Sequence, residues 1–154
     1  MKHTNLGSIS AGTMRPEDLI PCFLSELRSQ KPLRRAHAKL AKGIEWRAYE
    51  WSQSIEGMEY FNSDDAHEDL NVLADALSEY APTYFYFGAH PGDGADYGYW
   101  LSEGFQDDFD GLTVSDLSEV PKGHSGEVLH VNDHGNMTLY ACSRGRLREV
   151  WGLV

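Results

Sequence analysis

No long apolar run interrupts this chain of 154 residues, and none approaches the 18 or so residues that a membrane-spanning helix needs. The N-terminal stretch MKHTNLGSISAGTM lacks the apolar core of a secretory leader. Cysteine is scarce: Cys22 and Cys142 lie 120 positions apart, so the chain has neither a disulfide framework nor a zinc-ribbon pattern. Both are expected as buried thiols in a reducing compartment. These absences together predict a cytoplasmic protein.

Sequence repeats and low-complexity tracts are also missing, as are the strong chemical motifs. Gly123-His124-Ser125-Gly126 is not a nucleophile elbow, no P-loop or G-x-G-x-x-G occurs, and no catalytic signature is present. The most conspicuous lack is of cations. Residues 48–121 hold 17 Asp/Glu and no Lys or Arg. Residues 1–47 hold nine Lys/Arg against four acids, and residues 122–154 four against three, which brings the chain to a net −11. Such a charge disfavours direct nucleic-acid binding, because phosphates repel it, and suits a basic partner. Arg34, Arg35, Lys39 and Lys42 could fold back onto the acidic block. Nine cations cannot neutralise 17 acids, so a surplus must face solvent or a partner.

What is present is a globular composition, 41% hydrophobic and 12% aromatic, sufficient for a core without staples. Pro16-Glu17-Asp18 reads as a first helical turn, followed by Leu19, Ile20, Phe23, Leu24 and Leu27 on one face. A second helix is expected over about 33–56, with Leu33, His37, Leu40, Ile44, Ala48, Trp51 and Ile55 as its buried stripe and Gly57 as its stop. His37 in that stripe reads as a packed, hydrogen-bonded core histidine. A third helix starts near Asn62-Ser63-Asp64-Asp65, with Asp65 and Glu68 resembling a capping arrangement. It should bury Ala66, Leu70, Leu73, Leu77 and Tyr80, present carboxylates on its other side, and end at Pro82.

Beyond Pro82 the period becomes that of strands. Thr83 to Phe87 is dense in aromatics and predicts a central strand. His90 to Asp96 predicts a loop, and Tyr97 to Ser102 a returning strand. Leu112, Val114, Leu117 and Val120 are expected anchors within the acidic stretch 103–126. Val128–Val131 and Met137–Tyr140 predict a hairpin with a two-residue turn at His134-Gly135, and Arg144-Gly145 turns the chain into a last strand, Leu147–Leu153. The expectation is one α+β domain over 1–154. Three helices (14–81) would pack on one face of a mostly antiparallel sheet of about five strands (82–154), with 1–13 as a loose arm or edge strand.

Two constellations could carry function. The first is the set of acids interleaved with aromatics: Glu56, Glu59, Asp64, Asp65, Glu68, Asp69, Asp75 and Glu79, with Asp107, Asp108 and Asp110 as a second patch. Carboxylates on successive helical turns recur about every 5.4 Å, so two acidic elements could approximate a phosphate track and occupy a basic nucleic-acid groove. The alternative is an acidic face that only keeps the protein in solution. The second constellation is His90, Asp93 and Asp96, whose nitrogen and oxygens could hold a divalent metal. Its alternative is a hairpin link whose aspartates bond their own backbone. Asp107-Asp108-Phe109-Asp110 fails the alternation of a calcium loop. His124, His130, Asp133 and His134 could build a site only if their loops met.

Gly12-Thr-Met-Arg-Pro-Glu-Asp-Leu-Ile-Pro21 and Tyr84-Phe-Tyr-Phe-Gly-Ala-His-Pro-Gly-Asp-Gly-Ala-Asp-Tyr-Gly-Tyr-Trp100 resemble a family of small acidic proteins carried by phages, plasmids and other bacterial mobile elements. Val131-Asn-Asp-His-Gly-Asn-Met-Thr-Leu-Tyr140 and the run Glu149–Val154 resemble it too. The resemblance implies a genomic context and carries over no catalytic residues. Acidic proteins of such elements often resemble inhibitors of host defence, of the anti-CRISPR or anti-restriction type. Three readings follow: an acidic inhibitor of a nucleic-acid-handling enzyme with no cofactor, a metal-binding domain or metal-dependent enzyme centred on 90–96, and an accessory protein of a mobile element.

Overall fold

The computed structural model describes residues 6–52 and 60–154, and these divide into two compact units, Gly7–Trp100 and, with Leu6, Leu101–Val154. The α+β class is as expected. The arrangement is not: four described helices accompany two separate sheets, one of three strands and one of four, in place of a single five-stranded sheet.

In the unit Gly7–Trp100, strand β1 (Gly7–Ser10) precedes helix α1 (Pro16–Ser29). Pro16 occupies the first turn of α1 with Glu17 and Asp18, and Arg28 lies in its last turn, so the ends complement the helix dipole. Leu19, Ile20, Phe23, Leu24 and Leu27 are buried on one face, as their spacing predicts. Helix α2 (Arg35–Ser52) begins two residues later than expected; Ile55 and Gly57 lie outside the described residues. Helix α3 (Asp64–Ser78) is capped by Ser63, whose hydroxyl accepts from the Ala66 amide, not by the Asp65–Glu68 arrangement. Helix α1 packs against both α2 and α3.

Strands β2 (Phe85–His90) and β3 (Asp93–Leu101) follow, in the sheet order β1-β3-β2. The aromatic strand, expected to be central, is therefore an edge; β3 is the centre, with β1 on its other side. The ring of Phe87 meets Phe23 of α1 and Tyr99 of β3 edge-on, with centroids 4.9 and 5.0 Å apart. The open edge of β2 is met by Ser78, whose hydroxyl donates to the Phe87 carbonyl and lies 3.4 Å from its amide. The β1–β3 approach depends on Gly98: a Cβ there would lie 2.0 Å from the Gly7 carbonyl oxygen.

In the unit Leu101–Val154, the short helix α4 (Phe105–Asp108) leads to strand β4 (Leu112–Val114) and a single 3-10 turn, Leu117–Glu119. Strands β5 (Gly126–Val131), β6 (Met137–Ser143) and β7 (Arg146–Leu153) form the expected antiparallel meander. β4 adds a parallel pairing to β5 that the turn-rich sequence conceals. One core cluster gathers Val114, Val128 and Cys142 with Leu112, Leu117, Val120, Tyr140 and Leu147, so all four expected anchors are used. Leu129, Leu139 and Trp151 form a cross-strand row, and Phe105 packs edge-on against Trp151.

The β5–β6 link differs from the expected two-residue turn. Asn132 and Asn136 pair, leaving Asp133-His134-Gly135 as a three-residue loop with Gly135 at φ +80°. The Asn132 side chain fixes it by accepting from the His134 and Asn136 amides. A two-residue turn would put histidine at positive φ, which its Cβ disfavours.

Candidate interaction surface

The α3 helix sorts its acids by phase. Asp64, Asp65, Glu68 and Asp75 are exposed. No ion pair engages any of the four among the described residues. Asp64 and Asp65 sit in the first turn, where the helix dipole favours them.

Asp69 corrects the expectation of an exposed contacting charge: it is buried, with 7% of its surface accessible. Its carboxylate accepts from Arg47 Nε at 3.0 Å, from a second Arg47 nitrogen, and from the Tyr60 hydroxyl at 2.7 Å. Burial, then the bond to Asp69, raises the Tyr60 phenol far above its ordinary range, and the same carboxylate raises Arg47. On the buried face of α3, in phase with Ala66 and Leu73, a carboxylate is tolerated because a cation and a hydroxyl satisfy it.

Glu79 is also engaged. It pairs with Arg34, and one oxygen lies 3.5 Å from His37 Nε2. His37 is buried with Nδ1 2.9 Å from the Tyr80 hydroxyl, which also accepts from the Arg34 amide. His37 is thus the packed, bonded core histidine its position predicts. The N-terminal cations do fold back, through Arg34 and Arg47, but among the described residues they neutralise only Glu79 and Asp69 of the proposed contacts. Glu56 and Glu59 lie outside the described residues.

In the other unit Asp107, Asp108 and Asp110 are exposed around α4, held out by the buried Phe105. Asp116 is held below the usual carboxylate range by a bond from the Ser118 side chain and then by the Ser118 amide, which it accepts from at 2.7 Å.

The residues His90, Asp93 and Asp96 do not converge as a ligand set. Asp93 accepts from the Ala95 amide at 3.0 Å, and Asp96 from Ser8 across the β1–β3 pairing at 2.6 Å. His90 Nδ1 accepts from the Gly92 amide at 3.0 Å while its ring packs edge-on against Trp100. The expected loop is shorter than 90–96, with only Pro91-Gly92 between β2 and β3. His130 Nε2 lies 3.1 Å from the Ser115 carbonyl, and His134 sits in the hairpin loop. Among the described residues no group of three His, Cys, Asp or Glu is placed to hold a metal ion. Nor is any described helix long and apolar enough to cross a membrane.

Sequence reasoning overlooked the outer faces of α2 and α3 as one surface. Between these helices runs a shallow groove of ≈ 380 Å³ lined by Leu40, Arg47, Asp65, Glu68, Asp69 and Val72. Trp46 of α2, which does not line the groove, has 62% of its surface exposed. The signal was available: Trp46 is out of phase with the stripe His37, Leu40, Ile44.

In comparisons with known proteins the chain matches no family model, no curated sequence and no solved structure.

Proposed function

We propose that this chain is a non-catalytic interaction protein that occupies the basic surface of a nucleic-acid-handling protein, as an inhibitor of the host-defence type carried by mobile elements. The observation that carries this reading is the ridge Asp64, Asp65, Glu68 and Asp75, exposed along α3 and without a cationic partner among the described residues. Desolvated carboxylates left unpaired are costly, whereas carboxylates presented to an electropositive groove steer association and gain affinity on contact. Asp107, Asp108 and Asp110 supply a second exposed patch in the other unit. Asp69, buried against Arg47 and Tyr60, lies beneath the surface, and Glu79 is engaged by Arg34, so neither contacts the partner.

The test uses a partner captured from host lysate, its nucleic-acid affinity, and the variant Asp65→Lys/Glu68→Lys/Asp75→Lys. The chain should displace duplex DNA from the partner in a fluorescence-anisotropy assay, with affinity falling as ionic strength rises. The triple variant should lose displacement while keeping its circular dichroism spectrum. Displacement equal to wild type in the variant, or a partner whose DNA binding the chain leaves unchanged, overturns the reading.

A further inference from the structure

Helix α2 turns one face inward through His37, Ala41 and Ile44, all buried. At about 100° per residue, Arg35, Lys39, Lys42, Trp46 and Tyr49 fall within an arc of about 80° centred opposite that face. All five are exposed, Trp46 at 62% and Tyr49 at 67%. No Asp or Glu of α2 falls within the arc; Glu45, on its flank, is bonded to Arg28. No ion pair engages Arg35, Lys39 or Lys42 among the described residues. The stripe is about 21 Å long at 1.5 Å per residue, with the three cations in its first half and the two rings in its second.

Acids able to neutralise these cations are abundant, 24 against 13 Lys and Arg, yet the fold turns the three away from them. We infer that the outer face of α2 binds single-stranded nucleic acid. The phosphates follow Arg35, Lys39 and Lys42, and a base stacks on the Trp46 indole. A cationic track beside an aromatic platform holds single strands without reading their sequence. Other anions fit the stripe less well. An acidic peptide satisfies the cations and offers no planar face to the indole. A duplex keeps its bases stacked inside and brings a second charged strand toward a protein of net −11. A single strand meets the stripe and little else. The net charge still opposes approach, but its repulsion is screened beyond about 8 Å at physiological salt, whereas the track acts at contact. The dissociation constant should therefore be modest, on the order of 10–100 μM.

The stripe shares no residue with the α3 ridge, so this inference goes beyond the interaction reading and fails separately from it. Loss of strand binding leaves displacement of duplex DNA from the partner standing, and loss of displacement leaves the stripe standing.

Fluorescein-labelled oligothymidylate and oligouridylate of about 20 nucleotides, titrated with the full chain and followed by anisotropy, test it. Binding of either supports the proposal, and the tighter of the two names the sugar. The logarithm of the binding constant should fall with the logarithm of salt at a slope of about −2, since three phosphates contribute about 0.7 each. Lys39→Gln/Lys42→Gln should cut that slope to about −0.7 and weaken binding about tenfold or more. Trp46→Ala should weaken binding about tenfold with the slope unchanged, and Trp46→Phe, which keeps a ring, should recover most of it. Absence of binding to both strands at about 1 mM chain in low salt, wild-type binding by Trp46→Ala, tighter binding of a duplex of the same length, or equal competition by polyglutamate of the same charge overturns the proposal.

Discussion

Truncation of Asp69 to alanine should be the most damaging single change on α3, although the helix carries four other acids. The carboxylate receives three hydrogen bonds, two from Arg47 and one from Tyr60. The two donors fare differently when it is removed. The Arg47 side chain is 39% exposed and can turn to water, so the loss there is about 1 kcal/mol. Tyr60 is 0% exposed, and its hydroxyl would stay buried without this acceptor, at about 2 kcal/mol. The sum is about 3 kcal/mol, against about 0.5 kcal/mol or less for Asp65→Ala on the exposed face. Urea denaturation followed at 222 nm, where the helices dominate, should show a midpoint lower by about 2 M for an m-value of about 1.5 kcal/mol/M. Asp69→Asn, which keeps an acceptor for Tyr60, should lose about half as much. The reasoning is refuted if Asp69→Ala and Asp65→Ala shift the midpoint equally.

Alkaline stability should report the same network. The Tyr60 and Tyr99 phenols are raised above their ordinary value, chiefly by burial, then by Asp69 and Glu26 respectively. A raised phenol contributes stability that is present below the unfolded value near pH 10 and lost as pH climbs above it, so melting temperature should fall above about pH 10. Tyr60→Phe should flatten part of that fall. Gly98→Ala should release β1 from β3, since the new Cβ would meet the Gly7 carbonyl at 2.0 Å; faster amide exchange across Gly7–Ser10 would register it. The Cys22 thiol is raised by burial and its Sγ donates to the Ile9 carbonyl, so at neutral pH it should alkylate more slowly than a free thiol in a mass-spectrometric time course.

Much of the local structure could be read from residue order. The α1 face, the start of α3 near Ser63, the anchors Leu112 to Val120 and the meander of the last three strands follow from period and turn chemistry, which act within a few residues. The edge position of β2, the parallel β4–β5 pair and the division into two sheets do not, because strand partners are chosen by contacts between distant segments. Gly7–Ser10 has little strand signal of its own; it becomes a strand because Gly98 lets its backbone close on β3.

The candidate surface divides in the same way. An excess of acid over base in residues 48–121 is arithmetic, and no folding could neutralise it internally. Which acids meet water depended on the three-dimensional arrangement. Asp69 and Glu68 are adjacent in the chain and one is buried against Arg47 while the other is exposed, since a helix turns about 100° per residue and the packing of α3 against α1, β2 and α2 decides which direction is inward. Composition determined that this protein must present negative charge; the packing of α3 against its neighbours decided where that charge stands.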